Sequence, residues 1–100
     1  MLGQVIDTAK SIDQWRSTPS VALKLAEEMG ELAQAVNKNQ GYEEVVSEVA
    51  DVIIAATDVG WQAFCEEWNE NAPNVQDKYE TDLMNAIRMK LDKWVQVYGK

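Results

Sequence analysis

Histidine is absent from this 100-residue chain, and cysteine occurs once, at Cys65. The first absence removes Ser-His-Asp and Cys-His triads, histidine acid–base chemistry and every zinc or iron site built on imidazole. The second leaves no internal disulfide, which excludes a disulfide-stapled scaffold; Cys65 reads as a small apolar residue near a helix end. Two prolines and five glycines supply little punctuation for a many-stranded β protein. Positive charge is also scarce. Nine basic against 17 acidic residues give a formal charge of −8, which speaks against a broad footprint on a nucleic acid polymer or an anionic membrane. A small anionic ligand would need a local cation. No stretch is long and uncharged enough to span a bilayer, and MLGQVIDTAKSIDQW lacks the basic-then-apolar order of a signal peptide, so a cytoplasmic protein is expected.

Hydrophobic residues make up 46% of the chain, enough to bury one modest core, and a single domain over residues 1–100 is expected. Their spacing is helical. Leu2, Val5, Ile6, Ala9 and Ile12 predict a first helix from about Leu2 to Trp15. After STPS, with Ser17 or Thr18 as cap and Pro19 in the first turn, a second helix carries Ala22, Leu25, Ala26, Met29, Leu32, Ala33 and Val36 on one face. It closes in NKNQG, where Gly41 is available for a left-handed cap. Glu43 and Glu44 open a third helix that runs to about Cys65. Beyond EEWNENAPN, a candidate lid or subunit contact, Asn74 caps a fourth helix supported by Asp77. Its apolar stripe is Tyr79, Leu83, Ala86, Ile87, Leu91, Trp94 and Val97 or Tyr98. The fold class is all-α: a four-helix bundle whose second and third helices form a tight hairpin.

Two carboxylate pairs interrupt this pattern. Glu28 and Glu31 share one face of the second helix, and Glu48 and Asp51 one face of the third. Glu31 stands ten residues before Gly41 and Asp51 ten after it, roughly 15 Å from the turn on each side at about 1.5 Å per residue. The four can therefore face one another. The third-helix acidic stripe, Glu44, Glu48, Asp51 and Asp58, lies among Val52, Ile54, Ala55 and Val59, which is not an ordinary solvent face. Two unit charges about 4 Å apart repel by roughly 4 kcal/mol at an effective dielectric near 20, so four need a cation. Oxygen-only ligands point to a hard one, Mg²⁺ first, with Mn²⁺ as a substitute. A di-iron bundle needs Glu-x-x-His, and an EF-hand needs an Asp-rich loop; neither is present. Mg²⁺ held by a few carboxylates keeps positions for water and phosphates, so a phosphorylated ligand is expected.

KLAEEMGELAQAV, Lys24 to Val36, followed by EVADVI, Glu48 to Ile53, resembles the MazG-like nucleoside triphosphate pyrophosphohydrolases. That all-α superfamily includes dimeric dUTPases and phosphoribosyl-ATP pyrophosphatases. The family pattern E-E-x-x-E, spacer, E-x-x-D is met by Glu27, Glu28, Glu31, Glu48 and Asp51. The resemblance implies hydrolysis of an NTP or dNTP to the monophosphate and pyrophosphate, with Mg²⁺ bound by Glu28, Glu31, Glu48 and Asp51. Glu31 is the candidate for positioning or deprotonating the attacking water, with Glu27 as the alternative, although the wheel position of Glu27 turns outward. Lys24 matches the family's basic residue before the acidic motif, and it also stands at i,i+4 spacing to pair with Glu28. In NAIRMKLDKW, Asn85, Arg88, Lys90 and Lys93 fall where family members carry phosphate-binding residues.

For the nucleobase, Trp15, Trp61 and Trp68 are candidates. Trp61 is the first of them, because it follows Asp58 at i+3, and Asp58 can contact base or sugar; Trp94 reads as core. Apolar residues extend around most of the second and third helices, more than a monomer of this size can cover, so a homodimer or homotetramer is expected. The competing functions are a non-catalytic helical accessory module on the same scaffold and a phosphoribosyl-ATP pyrophosphatase.

Overall fold

The computed structural model describes residues 1–12, 16–68 and 74–99. It contains four α-helices and, among the described residues, no strand: α1 Leu2–Ser11, α2 Thr18–Asn37, α3 Tyr42–Glu67 and α4 Val75–Tyr98. The chain is all-α. None of its described helices is long and apolar enough to cross a membrane. The chain divides into two compact units, Met1–Glu67 and Trp68–Lys100.

The first unit is built on the α2–α3 hairpin, with α1 packed on α3. Ser17 begins α2, its side-chain oxygen accepting from the Ser20 N–H at 3.2 Å, while Pro19 occupies the first turn, where no N–H is needed. The helix ends in a Schellman motif: the Gln40 N–H donates to the Ala35 carbonyl at 3.0 Å and the Asn39 N–H to that of Val36 at 3.2 Å. The left-handed residue closing α2 is Asn39, at φ 52°, not the expected Gly41. Asparagine tolerates this conformation. Gly41, at φ 99°, instead leads the chain into α3.

The hairpin seam keeps Leu25 and Leu32 of the expected α2 stripe and leaves the rest of it uncovered. From Val21 onward the covered or partly covered positions on α2 are Val21, Leu25, Glu28, Leu32 and Ala35, and on α3 as far as Ala55 they are Val45, Glu48, Val52 and Ala55. Both series step by three and four residues, the spacing that keeps a seam facing one partner helix. Ala22, Ala26, Met29, Ala33 and Val36, expected inside, are exposed, with Met29 at 50% and Val36 at 53%. The hydrophobic spacing is that of a helix buried on two sides, and α3 covers only one of them. Leu23, Val46, Val49, Ile53 and Ile54 add further exposed apolar surface.

Helix α1 buries Leu2, Ile6 and Ala9, at i, i+4 and i+7, and packs on α3, where Thr57, Trp61 and Phe64 are buried and Lys10 of α1 lies over the Trp61 ring. It stops at Ser11, earlier than expected, with Ile12 already extended at φ −74°, ψ 111°. Trp15 lies outside the described residues. The Thr18 hydroxyl donates to Glu66 Oε1 at 2.6 Å, tying the start of α2 to the end of α3.

In the second unit Asn74 stands at the N-cap of α4, but in the left-handed region at φ 64° and without a side-chain cap bond. Lys78 lies over the Trp68 ring and pairs with Asp82 at 3.1 Å. Only Tyr79 of the expected α4 stripe is buried. Trp94 is 63% exposed, which corrects its assignment to the core. The helical spacing of the stripe is present, but among the described residues of its own unit no element covers it.

Candidate metal centre

The hairpin seam brings Glu28, Glu31, Glu48 and Asp51 together: each offers an oxygen, and these oxygens all lie within 4.8 Å of one another. Glu28 and Glu48 occupy seam positions of α2 and α3, whereas Glu31 and Asp51, three residues further along each helix, are exposed. One pair is thus held in the wall and the other opens to solvent. Glu28 Oε2 and Glu48 Oε2 are buried without a hydrogen-bond partner. An unsatisfied buried anionic oxygen is costly, and a hard cation is the group that four carboxylates of this spacing fit.

The electrostatics of the apo site agree. Glu48 is pushed up from 4.5 to about 7: its burial comes first, then a hydrogen bond with Glu44, then the charges of Glu31, Asp51 and Glu44. Two carboxyls that hydrogen-bond share a proton. In the absence of a cation, a proton on Glu48 relieves part of the repulsion. Glu44 enters the site as this partner.

Lys24 donates to Glu28 Oε1 at 3.0 Å and lies 3.8 Å from Glu27. The hydrogen bond and charge of Glu28 raise its pKa, so the ammonium stays protonated over the working pH range. Glu27 is exposed and lies outside the four-carboxylate set, as its wheel position indicated.

Beside the carboxylates is a cavity of about 560 Å³ whose lining includes Lys24, Glu28, Asp51, Asp58 and Arg16. Arg16 is the residue that sequence reasoning passed over. Its Nη1 pairs with Asp58 Oδ2, and its Nη2 donates to the Ala9 carbonyl at 3.2 Å. Gln62 donates to Asp58 Oδ1 at 3.2 Å. Asp58 is therefore an ion-pair partner at the cavity wall. A signal existed: Arg16 is one of only two arginines in a chain of net charge −8, and it sits in a connection where loops place functional groups.

Trp61 is corrected from a nucleobase platform to core. It is 2% exposed and stacks on Phe64 with centroids 5.6 Å apart, while Lys10 lies 5.9 Å from its ring centroid. Trp68 is half exposed in the second unit. Asn85, Arg88, Lys90 and Lys93 lie on α4 in that unit, all exposed.

No protein-family model, curated protein or solved structure matches the chain.

Proposed function

We propose that this chain is a Mg²⁺-dependent nucleoside triphosphate pyrophosphohydrolase on a MazG-type four-helix bundle, releasing a nucleoside monophosphate and pyrophosphate. The observation that carries this reading is the meeting of two carboxylate pairs on successive helices, with two of their oxygens buried and unpartnered. Glu28, Glu31, Glu48 and Asp51 would hold the cation, Mg²⁺ or in substitution Mn²⁺. When bound, it neutralises triphosphate charge and acidifies a water molecule.

The protein's own groups supply position. Glu28 and Glu48, held in the seam, would offer their oxygens to the cation at a lower ordering cost than two exposed side chains. Glu31 and Asp51 face solvent, where phosphate oxygens and water have access. Glu31 accepts a hydrogen bond from the attacking water and orients it toward phosphorus; Glu27 is the other candidate for that role. Lys24, already charged and beside Glu28, can turn its ammonium to a phosphate oxygen.

The exposed apolar face of α2 supports a homodimer or homotetramer, since a run of Ala22, Ala26, Met29, Ala33 and Val36 in water is a surface that a second copy can cover. Wild-type protein is expected to elute, with light scattering, at a multiple of 11.3 kDa, and Met29→Asp at a lower multiple. A wild-type mass of one chain contradicts the assembly.

The activity is tested with a panel of NTPs and dNTPs followed by ³¹P NMR, with and without Mg²⁺. Monophosphate and pyrophosphate appearing only with Mg²⁺ is the expected outcome. No turnover of any nucleotide, with no Mg²⁺-dependent rise in melting temperature, sinks the enzyme reading and leaves the non-catalytic module.

A further inference from the structure

The cavity beside the carboxylates has two polar ends joined by an apolar middle. At one end stand Glu28 and Asp51, which belong to the metal centre; at the other stand Arg16 and Asp58. Asp51 and Asp58 are seven residues apart on α3, about 10 Å along the axis at roughly 1.5 Å per residue. Apart from Gln4, Thr8 and Lys24, the rest of the lining is apolar, including Val5, Ile12, Ile53 and Ile54. A volume of about 560 Å³ falls within the roughly 300–1,000 Å³ typical of small-molecule sites.

The Arg16 end is built and incompletely satisfied. A guanidinium carries five N–H donors, of which one goes to Asp58 and one to the Ala9 carbonyl, while Nε is buried with no partner. Nε itself is closed off, but Arg16 lines the cavity, and a guanidinium donor largely shielded from water holds a ligand acceptor more strongly than one in water. Asp58 fixes the guanidinium through Oδ2, and Gln62 fixes Asp58 through Oδ1. The pair is therefore oriented from α3 while Arg16 itself comes from the connection after α1.

We infer that this cavity takes the nucleoside portion of the triphosphate, with Arg16 reading the hydrogen-bonding edge of the base and Asp58 acting as its positioning residue. The inference rests on the pyrophosphohydrolase reading for the placement of the phosphates at the carboxylate end. An aliphatic ligand would fill the middle and leave Arg16 unsatisfied. A flat heterocycle with acceptors on its far edge suits the middle and the end together. Selection among bases follows, because a site with a fixed buried donor discriminates against an edge that offers it no acceptor.

The test uses nucleoside monophosphates, so that it does not depend on turnover. Adenosine, guanosine, cytidine and uridine monophosphates are titrated calorimetrically into wild-type protein and into Arg16→Met, Arg16→Lys and Asp58→Asn, each checked for helical content by circular dichroism. Wild type is expected to prefer one base over the weakest by about tenfold or more. Arg16→Met should compress that ratio to within about threefold, Arg16→Lys should restore part of it, and Asp58→Asn should reduce it. These ratios respond to base contacts and not to a general loosening of the fold, which would weaken all four ligands together. The inference is overturned if wild type binds none of the four, or if a folded Arg16 variant keeps the wild-type order and spread. Should Arg16→Met fail to fold, unchanged selectivity in Arg16→Lys and Asp58→Asn overturns it equally. Selective binding without pyrophosphate release from any triphosphate would refute the hydrolase and leave the base site standing. Pyrophosphate release with selectivity indifferent to Arg16 would do the reverse.

Discussion

Asp51→Asn is expected to abolish pyrophosphate release while leaving the metal-free protein as stable as wild type, or more so. The amide keeps the shape of the side chain and removes one negative charge from a set of four whose oxygens lie within 4.8 Å of one another. In the apo state that charge is repulsive, and it is one of the influences raising Glu48. Removing it relieves the cluster. With metal present it is a missing ligand, and the loss in turnover should exceed the roughly 10–100-fold that outer partners of metal sites cost. Chemical denaturation without metal and steady-state rates at saturating Mg²⁺ read the two effects separately. A large fall in apo stability would instead mark Asp51 as half of a structural ion pair.

Glu48 sets the second expectation, a steep pH dependence near neutrality. Its pKa of about 7 in the folded chain stands above 4.5, so the native state holds a proton that the unfolded state releases first. The contribution of Glu48 to apo stability is therefore complete below about pH 4.5 and is lost as the pH rises to about 7. Metal binding runs the other way, since a cation needs the carboxylate. Mg²⁺ affinity should rise by about tenfold per pH unit below neutrality and level off above it. The Mg²⁺-induced rise in melting temperature should grow over the same interval. Glu48→Gln has no such proton to lose: its apo stability should be flatter across this window and its Mg²⁺ affinity uniformly weak. Calorimetric titrations from about pH 5.5 to about 8.5 follow both. Wild-type affinity independent of pH there contradicts the assignment of Glu48 as a ligand.

Both expectations draw on residues legible in the sequence. Glu28, Glu31, Glu48 and Asp51 are readable there because three-residue spacing places carboxylates on one helix face, and equal distances from Gly41 place the faces at one level. The cap at Ser17 follows from residue type, while at the far end of α2 asparagine takes the left-handed position that glycine was expected to hold. What the sequence conceals is which side of an all-round apolar helix meets its neighbour. Periodicity selects a broad face from Leu25 and Leu32 round to Met29 and Val36, but the hairpin uses only its Leu25 and Leu32 edge, with Val21 and Ala35 beside it, and leaves Met29 and Val36 exposed. Trp61 shows the same ambiguity, because a stripe position serves equally for a core ring and a ligand platform. Arg16 is hidden for another reason. Its partners Asp58 and Ala9 are 42 and 7 residues away, and no local spacing encodes a contact made through tertiary packing.

The most direct measurement of the proposed metal centre is anomalous diffraction from crystals grown with Mn²⁺. Manganese is expected within bonding distance of oxygens from Glu28, Glu31, Glu48 and Asp51, with the buried oxygens of Glu28 and Glu48 no longer unpartnered. Crystals at saturating Mn²⁺ that show no anomalous peak among these four carboxylates would contradict it.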